Sequence, residues 1–332
     1  MPSTRLAAIA LAASLSPGCR VDRSEPVGGA TTASAGREAS ERVLWRDDFD
    51  RFDRGSWNVT TSASGEACRS DGIRFNGEEQ AYTSNVDCAA PDHNLCVSGG
   101  TAKLVVRRQD GAGCQGYPTR YTSVRLNTKG KRGFSPTDEH PAIRIEARVR
   151  MPAQTPGVWP AFWTLGRDLK QGPILGDDAN DWPDAGEIDI AEVGWAWDQA
   201  QVTLATLHDS PGTWSSYDGE NHRGTRAGRH PIGRHEWHTY AVEWRKDSIR
   251  WLFDGVPFGR TVDLGALPDH DFEHEHFLLL NFAIGGAGGG ALTSPDALFP
   301  SNGASYTPEQ VLEVDYVEVV ALDPSTERSA TP

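Results

Sequence analysis

No segment of this 332-residue sequence is long and apolar enough to span a bilayer as a helix. The apolar run near its start, residues 6–15 (LAAIALAASL), covers 10 residues, whereas a spanning helix needs about 20. Runs of Lys or Arg are missing too. The 32 basic residues face 46 acidic ones, for a net charge of −14. That excludes the concentrated basic face by which nucleic-acid phosphates are held, and it makes a neutral polymer an easier partner than an anionic one. No CxxC pair or histidine cluster accompanies the cysteines, which argues against a metal site built on them. No internal repeat and no second low-complexity break interrupts residues 42–322, so length alone does not require two domains.

What is present points to strands. The sequence carries 35 glycines and 21 prolines with 38% apolar residues, a profile of short strands and turns rather than long helices. Residues 102–107 (AKLVVR), 143–150 (IRIEARVR), 239–244 (TYAVEW), 249–253 (IRWLF), 277–284 (FLLLNFAI) and 311–320 (VLEVDYVEVV) are rich in β-branched or aromatic residues, and several alternate apolar with polar. Asp254-Gly255 is a hairpin-turn pair after one of them. The expected fold is all-β, an antiparallel sandwich of on the order of a dozen strands. The 11 tryptophans exceed what a core alone requires, and exposed aromatic faces stack on sugar rings.

The two ends read as segments outside the fold. Arg5 and the run 6–15 form the charged and apolar parts of an export signal over residues 1–18. Leu15-Ser16-Pro17-Gly18-Cys19 resembles a bacterial lipoprotein cleavage site, with Ser16 where an aliphatic residue is usual. The expectation is an exported protein, anchored by lipid on Cys19 at the outer membrane or cell surface, or released to the medium after ordinary cleavage. Residues 19–41 are rich in Gly, Ala, Ser, Thr and charge and form a linker; residues 323–332 form a disordered tail. Of the five cysteines, lipidation of Cys19 leaves Cys68, Cys88, Cys96 and Cys114, an even number for two disulfides whose pairing stays open.

The chemistry concentrates in residues 182–192 (WPDAGEIDIAE). Glu187 and Asp189 are two apart and share one strand face, while Ile188 and Ile190 take the other. Glu192 lies at an odd offset from Glu187, which in a regular strand would bury an unpaired carboxylate at high cost. One extra residue, a β-bulge around Ile190-Ala191, returns it to the acidic face. The Cα atoms of Glu187 and Glu192 are then about four strand steps, roughly 13 Å, apart. Inward-leaning side chains bring the carboxyls toward the about 5–5.5 Å that retaining glycosidases use. Asp189 would hydrogen-bond the nucleophile and couple its titration. A calcium site made from the three carboxylates is the competing reading.

The Glu187-Ile-Asp189-Ile-Ala-Glu192 motif resembles the signature of family 16 glycoside hydrolases, in the bulged form of laminarinases. Trp159-Pro160-Ala161-Phe162-Trp163, Arg144-Ile145-Glu146-Ala147-Arg148, residues 76–82 (NGEEQAY), residues 237–240 (WHTY) and residues 314–317 (VDYV) resemble further landmarks in the same order. The resemblance implies a β-jelly-roll with a sugar cleft on its concave sheet, acting without a cofactor on internal β-1,3 or mixed β-1,3-1,4 linkages of a glucan such as laminarin. It implies Glu187 as nucleophile, Asp189 as assisting carboxylate and Glu192 as acid/base. Trp159 and Trp163 stand where glucose stacks, Asn76 and Arg144 where the adjacent sugar is hydrogen-bonded, and His208 beside the leaving group. A structural calcium is expected from Asp48, Asp315 and a carbonyl near Gly100. The protein is expected to be a monomer. The alternatives are a same-fold hydrolase of agarose, carrageenan or a galactan, and a glucan-binding protein without activity, which the presence of both glutamates disfavours.

Overall fold

On strand β8 (Ala142–Arg150), Ile143, Ile145, Ala147 and Val149 are buried while Arg144, Glu146, Arg148 and Arg150 are only partly covered. This period-2 burial is the mark of a strand with one face on a core. The computed structural model describes residues 41–62, 75–112, 118–167, 182–183, 185–209, 223–233, 235–267, 270–292, 294, 297–299 and 309–323. The signal, the linker short of Glu41 and the tail beyond Asp323 therefore lie outside the described residues, as do Cys19, Cys68 and Cys114.

Two sheets form the described fold. In one, β15 (Val256–Asp263), β14 (Ser248–Phe253), β13 (Trp237–Arg245), β8, β17 (Glu309–Ala321), β5 (Ala102–Ala112), β6 (Pro118–Ser123) and β3 (Gln80–Tyr82) follow one another. To this path β1 (Arg42–Asp47) adds on β17 and β4 (Leu95–Val97) on β5. In the other, the order is β12 (Arg223–Pro231), β11 (Val202–Asp209), β10 (Glu187–Glu192), β9 (Val158–Gly166), β16 (His276–Ile284), β7 (Arg125–Asn127) and β2 (Asn58–Thr60). Pairing is antiparallel except between β3 and β6. This is the β-jelly-roll that the resemblance implies, and it has more strands than the sequence suggests because three-residue strands such as β2, β3, β4 and β7 leave no periodic signal. Asp254 and Gly255 both take positive φ, 49° and 76°, as the tight turn between β14 and β15 requires.

The core lies between the sheets. The ten-stranded sheet contributes Leu104, Ile143, Ile145, Val242, Trp244 and Trp251; the seven-stranded sheet contributes Phe162, Ile188, Ile190, Leu278, Leu280 and Phe282. Alternation along β16 and β9 then fixes the opposite face. Leu165, Phe277 and Leu279 form a separate apolar cluster with Trp163 and Trp182 packed against it. That second face of the seven-stranded sheet carries the functional residues.

Candidate active site

The bulge falls where strand parity requires it. Against β9, Asp189 pairs with Trp163 and Ala191 with Phe162; against β11, Asp189 pairs with Thr206 and Glu192 with Leu204. One extra residue on β10 is absorbed between Asp189 and Glu192. Ile188, Ile190 and Ala191 enter the core, and Glu187, Asp189 and Glu192 share the open face.

Each carboxylate has its own neighbours. The Trp182 indole donates to Glu187 Oε2 at 2.9 Å, and the Trp159 indole donates to Glu192 Oε1 at 3.1 Å. His208, paired with Glu187 across β10 and β11, places Nε2 3.3 Å from Asp189 Oδ2 and 4.0 Å from Glu187 Oε1. Its ring lies 5.7 Å from that of Trp182. Burial, then the Asp189 carboxylate, pushes the Glu187 carboxyl well above its ordinary value; His208 opposes this and Glu192 adds to it. Glu187 and Asp189 are in hydrogen-bond contact and titrate as a pair. Asp189 is the more buried of the two, with its side chain 3% exposed against 14% for Glu187. The indole N–H of Trp182 favours the anion on Glu187.

A second group surrounds Trp163. Its indole donates to Asn281 Oδ1 at 2.7 Å, and the Arg125 guanidinium lies 4.9 Å from its ring centroid. Asn281 donates to the Tyr82 hydroxyl at 3.2 Å, and Tyr82 donates to Glu78 Oε2 at 3.1 Å. Arg125 Nε is buried without an acceptor among the described residues. Asn76 sits in the 3-10 turn Phe75–Gly77 at φ 53°. Its carbonyl packs against Gly286 of the short helix α1 (Gly286–Gly289), whose Gly288 lies directly on the Trp159 ring. Any Cβ at Gly288 would meet that ring.

The two carboxylates on one strand face, each held by a tryptophan and flanked by half-buried aromatics, form a glycosidase constellation. A model of glycosyl hydrolases family 16 matches residues 84–273. A β-glucanase of Rhodothermus marinus is 32% identical over 295 residues, 83% of this chain and 84% of the relative. This chain belongs to family 16. Among solved structures, LamA of Zobellia galactanivorans in complex with laminaritriose and laminaritetraose matches at TM-score 0.63 and 26% identity, covering 85% of this chain and 100% of the other. An endo-β-1,3-glucanase of Pyrococcus furiosus matches at TM-score 0.63 and 26% identity, covering 85% and 95%. The protein is thus a glycoside hydrolase with β-glucanases among its relatives, of a family that needs no cofactor for catalysis.

The hydrolase brings Glu187, Asp189, Glu192, Trp159, Trp163 and His208 to one sheet face; Arg144 does not join them. β8 belongs to the ten-stranded sheet, and the even positions of its IRIEARVR pattern face away from the core. Arg144 there makes a two-pronged ion pair with Glu41, at 2.7 and 2.8 Å, and a third contact with Glu146 at 3.3 Å. A cation that does stand on the catalytic face beside Trp163 is Arg125. It was missed because β7 is three residues long. Asn281 was missed as well, although a lone amide in the apolar run 277–284 was a visible signal. Trp182, just ahead of the acidic motif, was equally legible.

The carboxylates expected at a calcium ion are ion-paired with arginines. The Asp48 carbonyl does lie beside Gly100, 3.9 Å from where a Cβ would stand. The carboxylates, however, are engaged by cations: Arg46 Nε donates to Asp48 at 2.7 Å, and Arg148 donates to Asp315 at 2.6 Å. Among the described residues, the one group of three ligating side chains within reach of one another is Glu187, Asp189 and His208. Of the two expected disulfides, Cys88–Cys96 is present, and the remaining cysteines, Cys68 and Cys114, lie outside the described residues.

Proposed function

We propose that this protein is an exported, retaining endo-glycosidase that cuts internal β-1,3 or mixed β-1,3-1,4 linkages of glucans such as laminarin. The observation that carries the reading is the bulged β10, with Glu187 and Glu192 on one face and Asp189 between them. A Glu187 carboxylate oxygen attacks the anomeric carbon as Glu192 protonates the departing glycosidic oxygen. For the attack the pair's proton has to sit on Asp189, which leaves Glu187 anionic. Glu192, now a carboxylate, takes a proton from water, which attacks the anomeric carbon, displaces Glu187 and restores the β configuration. Trp163, backed by Arg125 and Asn281, offers an aromatic face to a pyranose ring. Laminari-oligosaccharides in the LamA complex and the β-glucanase name of the Rhodothermus relative support the substrate class. The N-terminal charge, apolar run and Cys19 support export with a lipid anchor.

The deciding experiment is sugar release from laminarin, lichenan, agarose and carrageenan, with the anomer of the first product read by proton NMR. Release from laminarin or lichenan with β-configured initial product is expected. Release from agarose or carrageenan alone, or an α-configured initial product, would overturn the reading.

A further inference from the structure

Strand pairing sets four side chains in a square beside the catalytic bulge. Glu187 stands opposite His208 across β10 and β11, and Asp189 stands opposite Thr206. Cross-strand partners share a sheet face, with Cβ atoms about 4.5–5.5 Å apart. Three of the four bring ligand atoms together: the Glu187 and Asp189 carboxylates and the His208 imidazole offer one atom each, all within 4.8 Å of one another. His208 Nε2 is 3.3 Å from Asp189 Oδ2 and 4.0 Å from Glu187 Oε1. The fourth, Thr206, is 6% exposed, and its hydroxyl has no hydrogen-bond partner among the described residues. A buried hydroxyl left without a partner marks a place for a bound group or its water.

The spacing is that of a tetrahedral ion. Zinc binds imidazole nitrogen at about 2.0–2.1 Å and carboxylate oxygen at about 2.0–2.2 Å, and bonds of that length at tetrahedral angles set the ligand atoms about 3.3–3.5 Å apart. The His208–Asp189 distance already matches, and the Glu187 oxygen has to close by only about half an ångström to join them. The donor types agree. A ring nitrogen with two carboxylates suits zinc, whereas calcium takes six to eight oxygens. Asp189 is 3% exposed at the base of the group, while Glu187 at 14% and His208 at 22% open toward the cleft, so water can fill the fourth position. Trp182 holds Glu187 by Oε2 and leaves Oε1 for the ion, as an outer-shell donor does. The net charge of −14 favours the approach of a cation.

We propose that Glu187, Asp189 and His208 form a binding site for a divalent transition metal ion of the zinc type, and that the bound ion reversibly blocks the hydrolase. Binding stands on the geometry alone; the block rests on the catalytic reading above. A zinc bond to Glu187 Oε1 occupies the nucleophile, so ion and substrate compete for one place. The test uses the full chain, freed of metal by a chelator and then titrated with zinc in a calorimeter without substrate. The wild type should show a binding step that weakens at least about tenfold in Glu187→Gln and in His208→Gln, and a melting temperature that rises with zinc in the wild type alone. Cobalt in place of zinc should give the wild type the intense visible absorption of a four-coordinate ion, which both variants should lack. On laminarin, zinc at ten times its dissociation constant should raise KM about tenfold at unchanged kcat, and the chelator should reverse this. No binding step in the wild type, a step whose affinity either variant leaves unchanged, or inhibition that lowers kcat at unchanged KM would overturn the proposal. A metal-free wild type without turnover of any glucan would count against the catalytic reading instead, and the titration would still decide the site.

Discussion

The indole N–H of Trp251, on β14 of the ten-stranded sheet, donates to the main-chain carbonyl of Asp189 at 2.8 Å. This bond crosses the core and ends at the catalytic bulge. Trp251 is fully buried, so no water can replace it. The bulge needs an acceptor's partner from the opposite sheet, because the extra residue breaks the local ladder.

Trp251→Phe should therefore destabilise the fold and lower kcat together. A buried carbonyl left without a donor costs about 1–3 kcal/mol, with a further cost for lost ring volume. Trp244 is the control. It is equally buried, but its Nε1 has no acceptor among the described residues, so Trp244→Phe should lose packing alone and keep kcat. Urea unfolding and initial rates measure both; equal behaviour of the two variants would count against a role for the bond.

The catalytic assignment makes a stricter demand. Glu187→Gln and Glu192→Gln should each lower kcat by several orders of magnitude while retaining the far-ultraviolet spectrum. Azide should partly restore a Glu187→Gly variant and yield an α-glycosyl azide, because the small anion enters from the face of the missing nucleophile. A β-azide, or full activity in either glutamine variant, would reverse the roles or remove them.

How much of this was legible in the sequence depends on what each signal encodes. Alternation in Glu187–Glu192 encodes faces, so the bulge and the shared acidic face could be argued from parity alone. Alternation in residues 143–150 encodes that one face is buried, but not in which of two sheets the strand lies; Arg144 was misplaced for that reason. Asn281 and Arg125 reach Trp163 through long-range pairing of β16 with β9 and β7, which no local pattern contains. The ion pairs of Asp48 with Arg46 and of Asp315 with Arg148 are likewise absent from any local pattern.

The Cys88–Cys96 crosslink closes a short loop of sequence separation 8. In the chain-entropy account such a loop contributes about 2.5 kcal/mol. Replacing both cysteines by serine should lower the unfolding free energy by roughly that amount while leaving kcat unchanged, since neither residue is on the catalytic face. Urea melts of oxidised protein measure the first and initial rates the second; a loss of activity at full stability would contradict the assignment of a purely structural role.

The strained ionisation of Glu187 predicts that the active site works against stability. Its carboxyl is pushed well above the ordinary value near 4.5, first by burial and then by Asp189. With the proton affinity raised in the folded state, that state binds more protons than the unfolded chain at pH values above about 4.5. Stability is then highest below the unfolded value and falls as pH rises toward the folded one. Glu187→Gln carries no such charge, so at neutral pH it should melt at a higher temperature than the wild type, and the gap should close as pH is lowered toward 4.5. Activity should show the complementary limb, rising with pH as the Glu187–Asp189 pair loses its first proton, because the nucleophile acts only as the anion. Calorimetric melts of the two proteins between about pH 4 and 8 measure the difference. A gap that does not change with pH would mean that the Glu187–Asp189 pair is not the coupled, desolvated unit its geometry indicates.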